Sequence, residues 1–140
     1  MDKVVHFELP VDELERARAF YSETFGWELE DIPEMDYTIV TTVPTDDNRM
    51  PKESGAINGG IYVRAEGISK NPVIVIGVDS IDASLEKIKA QGCEIVLPKN
   101  QVGDMGLYAQ IRDTERNVIG IWQDLNQAES EGAGEVELSV

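Results

Sequence analysis

The chain is poor in the residues that carry most metal and redox chemistry, with one cysteine, Cys93, and one histidine, His6. A single cysteine excludes an intrachain disulfide and a cysteine-based zinc site. Bases are scarce too: 12 Lys and Arg stand against 27 Asp and Glu, for a net charge of −15. Such a chain repels phosphates, so neither nucleic acid nor an anionic membrane surface is an expected partner. Long apolar runs are missing. The longest, Val73 to Ile76, is far short of the ~20 residues that cross a bilayer. No basic-then-apolar stretch opens the sequence, so no secretory leader is expected and a cytoplasmic location is the default. The acidity reads first as a solvated, solubilising surface, with a salty cytoplasm as the other source.

What remains is an ordinary globular composition. The 140 residues are 41% apolar, a prior for one domain large enough to bury a real core. Residues 1–126 are expected to form that domain. Gln127 to Val140 carries four glutamates and no base, and it reads as an acidic disordered tail.

Lys3 to Leu9 alternates and is rich in Val and Phe, so it predicts a strand that Pro10 ends. Asp12 with Glu15 three residues on has the pattern of a capping box. Leu14, Ala17, Tyr21 and Phe25 then recur at helical spacing, and Gly26 suits the helix end. Trp27 to Ile32, Tyr37 to Val43 and Ala56 to Arg64 read as strands. Pro44 to Gly55 reads as a polar loop, either a lid or a long hairpin. The same order then recurs. Val73 to Asp79 is a strand, and Ser80 to Gln91 a helix with Ile81, Leu85 and Ile88 on one face. Glu94 to Leu97, Leu107 to Arg112 and Val118 to Gln123 are the remaining strands.

The matched points Val11-Asp12 with Val78-Asp79, and Gly26 with Gly92, lie 67 and 66 residues apart. Two copies of one unit explain that register. The expected fold is α+β: two βαβββ modules, 1–67 and 70–126, forming a curved mixed sheet with helices outside and a central cleft.

At these residues the sequence resembles a known family. His6-Phe7-Glu8-Leu9-Pro10, Asp12 to Ala17, Phe20-Tyr21 and Phe25-Gly26-Trp27 resemble the opening of the vicinal oxygen chelate superfamily. That superfamily includes glyoxalase I, extradiol dioxygenases, and bleomycin- and fosfomycin-resistance proteins. Val78-Asp79, Gly92 and Asp113 to Ile119 resemble its second module, although Thr114 and Arg116 stand where the family commonly has Pro and Gly.

The resemblance implies a divalent metal held by four side chains, two from each module. Carried over by position, the first ligand falls on His6, fourteen residues before Phe20. The others fall on or beside Gly60, on Val73 and on Gly120. Only His6 can coordinate through its side chain. Glu8 shares its face by strand alternation, so His6 and Glu8 could make half a site. The expectation is therefore no metal and no cofactor.

Period-two reasoning places the other candidates. Ile119, Ile121, Ala109 and Ile111 should face the second helix, and Ile61 and Val63 the first-module core. That turns Gly60, Tyr62 and Arg64, Tyr108 and Gln110, and Gly120 and Trp122 to the opposite face. With His6, Glu8 and Val73 they would line a pocket for a planar or aromatic small molecule.

The expected function is metal-independent small-molecule binding of the sequestering or resistance type. The alternative is a lyase, isomerase or dioxygenase-like enzyme with His6 and Glu8 as the catalytic pair. A third reading, an interaction module docking a basic partner through its acidic surface, has less behind it. The resemblance also implies a homodimer, with modules paired within or between chains. Cys93 has no basic or histidine neighbour in sequence and reads as an inert thiol.

Overall fold

The computed structural model describes residues 1–125. The tail expected from Gln127 onward lies outside them. The chain divides into two compact units, one spanning Val5–Val73, the other joining Met1–Val4 to the residues from Ile74 onward.

The first unit contains β1 (Lys3–Val11), α1 (Leu14–Phe25), β2 (Glu28–Ile32), β3 (Tyr37–Thr41) and β4 (Gly59–Val63). Its strand order is β2-β3-β4-β1. β1 runs parallel to β4, and the other neighbours are antiparallel. The second unit repeats the plan with β5 (Val73–Gly77), α2 (Ile81–Ala90), β6 (Ile95–Val102), β7 (Gly106–Arg112) and β8 (Val118–Asp124). Its order is β5-β8-β7-β6, again with one parallel pair, β5 with β8. The βαβββ plan read from the sequence is therefore present twice, and the fold is α+β.

The registers repeat as well. In the first unit Glu8 of β1 and Ile39 of β3 flank Gly60. In the second, Val75 of β5 and Gln110 of β7 flank Gly120. Gly60 and Gly120 are thus equivalent positions, as are Glu8 and Val75.

The two helices dock by different means. Ser80 caps α2, its Oγ accepting from the Ala83 N–H at 3.1 Å. Ile81 and Leu85 then pack on Ala109, Ile111 and Ile121, with Ile119 and Ile88 partly buried beside them. Full burial of such side chains contributes roughly 1.5–3 kcal/mol each. α1 has no fully buried residue. It is fastened by Arg18, which forms an ion pair with Asp31 and donates to the Leu29 carbonyl. Thr38 donates to the same Asp31 carboxylate at 2.9 Å. These bonds, Thr38 first and Arg18 next, hold the Asp31 carboxyl below its ordinary range. Tyr21 stacks on Trp27 with ring centroids 4.9 Å apart, and Trp27 in turn meets Phe7.

Several sequence expectations need correction. Pro10 does not end β1, which continues to Val11 with Pro10 opposite Tyr62. Asp12 is not a cap: Glu13 holds the N-cap position without a side-chain bond, and Asp12 pairs instead with Arg64 at 2.9 Å. Phe25 and Val63 are exposed rather than core. Trp27 precedes β2, and β6 runs on to Val102 past the predicted Leu97.

The 44–55 loop is a self-bonded hairpin. Asp46 Oδ1 accepts from the N–H groups of Asn48 and Met50, and Thr45 bridges Pro51. Asn58 ties its base, its Oδ1 accepting from Thr42 and Val43 N–H and its Nδ2 donating to the Val43 carbonyl. Before β8, Asp113 Oδ1 accepts from the Glu115 and Asn117 N–H groups, and Arg116 takes the left-handed conformation with φ 71°. Arg116 thus adopts the backbone geometry that glycine favours at that position.

Candidate functional site

The first unit's sheet carries Thr38, Val40 and Ile61 on the face toward α1, all buried. Alternation turns His6, Glu8, Tyr37, Ile39, Gly60 and Tyr62 to the other face. Three of these meet. The Tyr37 hydroxyl donates to Glu8 Oε2 at 3.1 Å, and His6 Nε2 lies 2.8 Å from the same hydroxyl. Glu8 is buried, whereas His6 and Tyr37 are half-buried.

Glycine at position 60 makes this possible. A Cβ there would fall inside the Tyr37 phenol, hydroxyl and ring carbons alike. Tyr37 sits two residues before Ile39, the residue opposite Gly60, so its ring reaches diagonally across the pair. Burial lowers the His6 imidazole from an ordinary 6.5 to about 4. That penalises the charged ring by about 3 kcal/mol, at 1.36 kcal/mol per tenfold. At neutral pH His6 is therefore an uncharged hydrogen-bonding group.

The second unit repeats the motif with different chemistry. Tyr108 sits two residues before Gln110, the residue opposite Gly120. A Cβ on Gly120 would lie 2.9 Å from the Tyr108 hydroxyl and 3.0 Å from Val75 Cγ2. Gln110 Nε2 donates to that hydroxyl at 2.8 Å. Ala109, Ile111, Ile119 and Ile121 turn toward α2 as expected, which leaves Tyr108, Gln110, Gly120 and Trp122 on the other face. The Trp122 ring covers Gly106, where a Cβ would collide with it.

The sequence-predicted residues thus fall into separate groups. His6, Glu8 and Gly60 come together around Tyr37. Tyr108, Gln110 and Gly120 come together in the second unit, where Tyr108 and Gln110 are buried. Val73 is buried at the start of β5. Tyr62 donates to the Ser69 carbonyl at 2.6 Å and so fastens the connection to the second module. Tyr37 was not anticipated. Its signal was Gly60 in mid-strand, since a strand glycine often marks the close approach of another group.

A divalent metal, implied by the resemblance, needs about three protein ligands and an open position. His6 and Glu8 supply two donors, and Tyr37 already binds both. Gly60, Val73 and Gly120 have no donor side chain. Among the described residues no group of three or more His, Cys, Asp or Glu converges. These residues do not fit such a metal. No helix among them is long and apolar enough to cross a membrane.

Residues 3–43 match the family described as bleomycin resistance protein-like, N-terminal. Over 107 residues, 76% of this chain, the sequence is 27% identical to proteins of Mycobacterium bovis and Mycobacterium tuberculosis named as the glyoxylase CFP32. The chain spans 40% of the length of those relatives. Among solved structures, methylmalonyl-CoA epimerase from Mycobacterium tuberculosis is similar with a TM-score of 0.59 at 15% identity, covering 86% of each chain. A glyoxalase/bleomycin resistance protein/dioxygenase superfamily member from Vibrio splendidus gives 0.59 at 13% identity, covering 89% of this chain and all of that one. A variant of homoprotocatechuate 2,3-dioxygenase from B. fuscum gives 0.61 at 14% identity, covering 87% of this chain and 32% of that one. At such identities the structures speak for the fold alone. The chain therefore has the fold found in glyoxalase, bleomycin-resistance and dioxygenase superfamily structures, and its residues 3–43 are similar to the bleomycin resistance protein-like family.

Proposed function

We propose that this protein binds a small molecule on the face of the first-module sheet that carries His6, Glu8 and Tyr37, without a divalent metal. One observation supports this above the rest. At the position where the family pattern expects a metal ligand stands Gly60, and a tyrosine hydroxyl occupies the space of its side chain. The site then offers hydrogen bonds in place of coordination. An uncharged imidazole, a phenol and a carboxylate suit a ligand with N–H or O–H groups, and the ring faces of His6 and Tyr37 suit a planar or aromatic body.

Thermal shift tests the reading. Zinc, nickel, manganese and iron(II) should leave the melting temperature unchanged, and metal analysis should find no stoichiometric ion. A planar aromatic ligand should raise it, by the equivalent of about 2.7 kcal/mol at a hundredfold excess over Kd. His6→Ala should remove that rise. A stoichiometric metal, or a metal-induced shift abolished by His6→Ala, would overturn the proposal.

A second reading rests on the same trio. A neutral imidazole is in the form that accepts a proton, so His6 and Glu8 could serve a lyase or isomerase acting on an acidic C–H. Ligand C–H exchange with deuterated solvent, lost in His6→Ala while binding persists, would favour it over simple binding.

A further inference from the structure

We infer that Tyr37 is a positioning residue: it carries the Glu8 carboxylate's demand for a proton to His6, fixing the ring with its proton on Nε2 and leaving Nδ1 as the ligand-facing acceptor. The argument follows from donor and acceptor inventories. An ionised carboxylate only accepts. The Tyr37 hydroxyl has one proton, and it points to Glu8 Oε2. Its oxygen can therefore meet His6 Nε2 only as an acceptor, so Nε2 is the protonated nitrogen. In a neutral ring Nδ1 then carries the lone pair. Among the described residues nothing donates to Nδ1, since the hydrogen bond of His6 runs through Nε2 alone. A half-buried acceptor left open in this way takes its donor from outside the described residues.

The second module supplies an internal comparison. Tyr108 occupies the equivalent place over Gly120, yet its hydroxyl accepts from the Gln110 amide, and Val75 stands where Glu8 does. The phenol over the glycine is common to both halves. The link from a carboxylate through a phenol to an imidazole lies in the first unit, which holds the chain's one histidine. A phenol needed only to fill the space above Gly60 would not require His6 and Glu8 on either side of it.

The inference rests on the reading of this face as a ligand site, but its test needs no ligand. His6 is the chain's one histidine, so ring signals in an imidazole ¹⁵N spectrum belong to it without assignment. At neutral pH the full chain should show a protonated Nε2 with a directly observable proton, and an unprotonated Nδ1. Tyr37→Phe keeps the ring over Gly60 and deletes only the hydroxyl. The Nε2 proton should then exchange with water about tenfold faster, as expected for one lost hydrogen bond, and its signal should fade. Glu8→Gln frees the Tyr37 proton to point either way, so a single tautomer should give way to a mixture. The backbone amide spectrum verifies that each variant is folded. A proton on Nδ1 in the unaltered chain would overturn the inference, whatever the variants do. So would an Nε2 signal that survives Tyr37→Phe unchanged in a folded protein. A ligand screen that fails while the Nε2 signature holds refutes the binding proposal and leaves this one standing.

Discussion

Adding one methyl group at Gly60 should cost far more than a methyl usually does, and the cost should vanish when Tyr37 is absent. The Gly60 backbone is outside the left-handed region, so alanine is conformationally acceptable there. The nearest atoms to the new Cβ all belong to the Tyr37 phenol, which must leave. Its departure removes a hydrogen bond to the Glu8 carboxylate and another to His6. A bond to a charged group contributes about 1.5–3 kcal/mol and a neutral one about 1, so Gly60→Ala should destabilise by about 3 kcal/mol. In a Tyr37→Ala background those bonds are already gone and the space is open. There Gly60→Ala should fall within about 0.5 kcal/mol of neutral, helped by the smaller entropy of an unfolded alanine. The coupling between the two sites should therefore be about 3 kcal/mol, well outside the ~0.5 kcal/mol scatter of independent sites. Urea unfolding of the four chains, with m-values compared to verify a common unfolded state, measures it. Additive effects would refute the account of Gly60 and Tyr37 as one interlocked pair.

Two further outcomes follow from the described bonds. The His6 ring titrates near 6.5 when unfolded and near 4 when folded, so the unfolded chain binds more protons between those values. This contribution to stability is complete above about pH 6.5, falls as pH drops, and stops falling below about pH 4; at pH 5 the loss is about 2 kcal/mol. His6→Asn should lack that slope between pH 7 and 5, a range above the lowered carboxyls of Asp31 and Asp113. An identical slope in the variant would show that His6 is not its source. At the helix starts, Ser80→Ala should lose about 1 kcal/mol through the Ala83 N–H it leaves uncapped, whereas Glu13→Ala should cost little, because Glu13 makes no cap bond. Equal melting temperatures for the two variants would contradict the difference in capping.

The sequence carried the repeat and the packing face of the second module because periodicity records burial. Ile81 and Leu85 at helical spacing, with Ala109, Ile111, Ile119 and Ile121 at strand spacing, form the observed core. The first module was harder to read, since α1 is fastened by Arg18, Asp31 and Thr38 and not by buried apolar residues. The apolar period of Leu14, Ala17, Tyr21 and Phe25 is therefore only partly buried, so Phe25 looked like core and is exposed. Pro10 misled for a related reason. A proline ends a strand only where its missing N–H is needed, and β1 carries it opposite Tyr62. In the candidate site, His6, Glu8 and Gly60 could be named because they lie on adjacent strands in fixed register. Tyr37 could not, because its part depends on a ring reaching diagonally over a residue 23 positions later, which only the β3–β4 register reveals.

The placement of the two tryptophans has a consequence for how this fold can be watched coming apart. Trp27 lies in the first unit, stacked on Tyr21. Trp122 lies in the second, over Gly106. Each half of the duplicated architecture therefore contains its own intrinsic fluorophore, and the chain holds no third to blur them. A pair of single-tryptophan chains, Trp27→Phe and Trp122→Phe, turns one unlabelled protein into two separate reporters. Whether the halves melt as one cooperative body or in sequence becomes a matter of overlaying two emission curves.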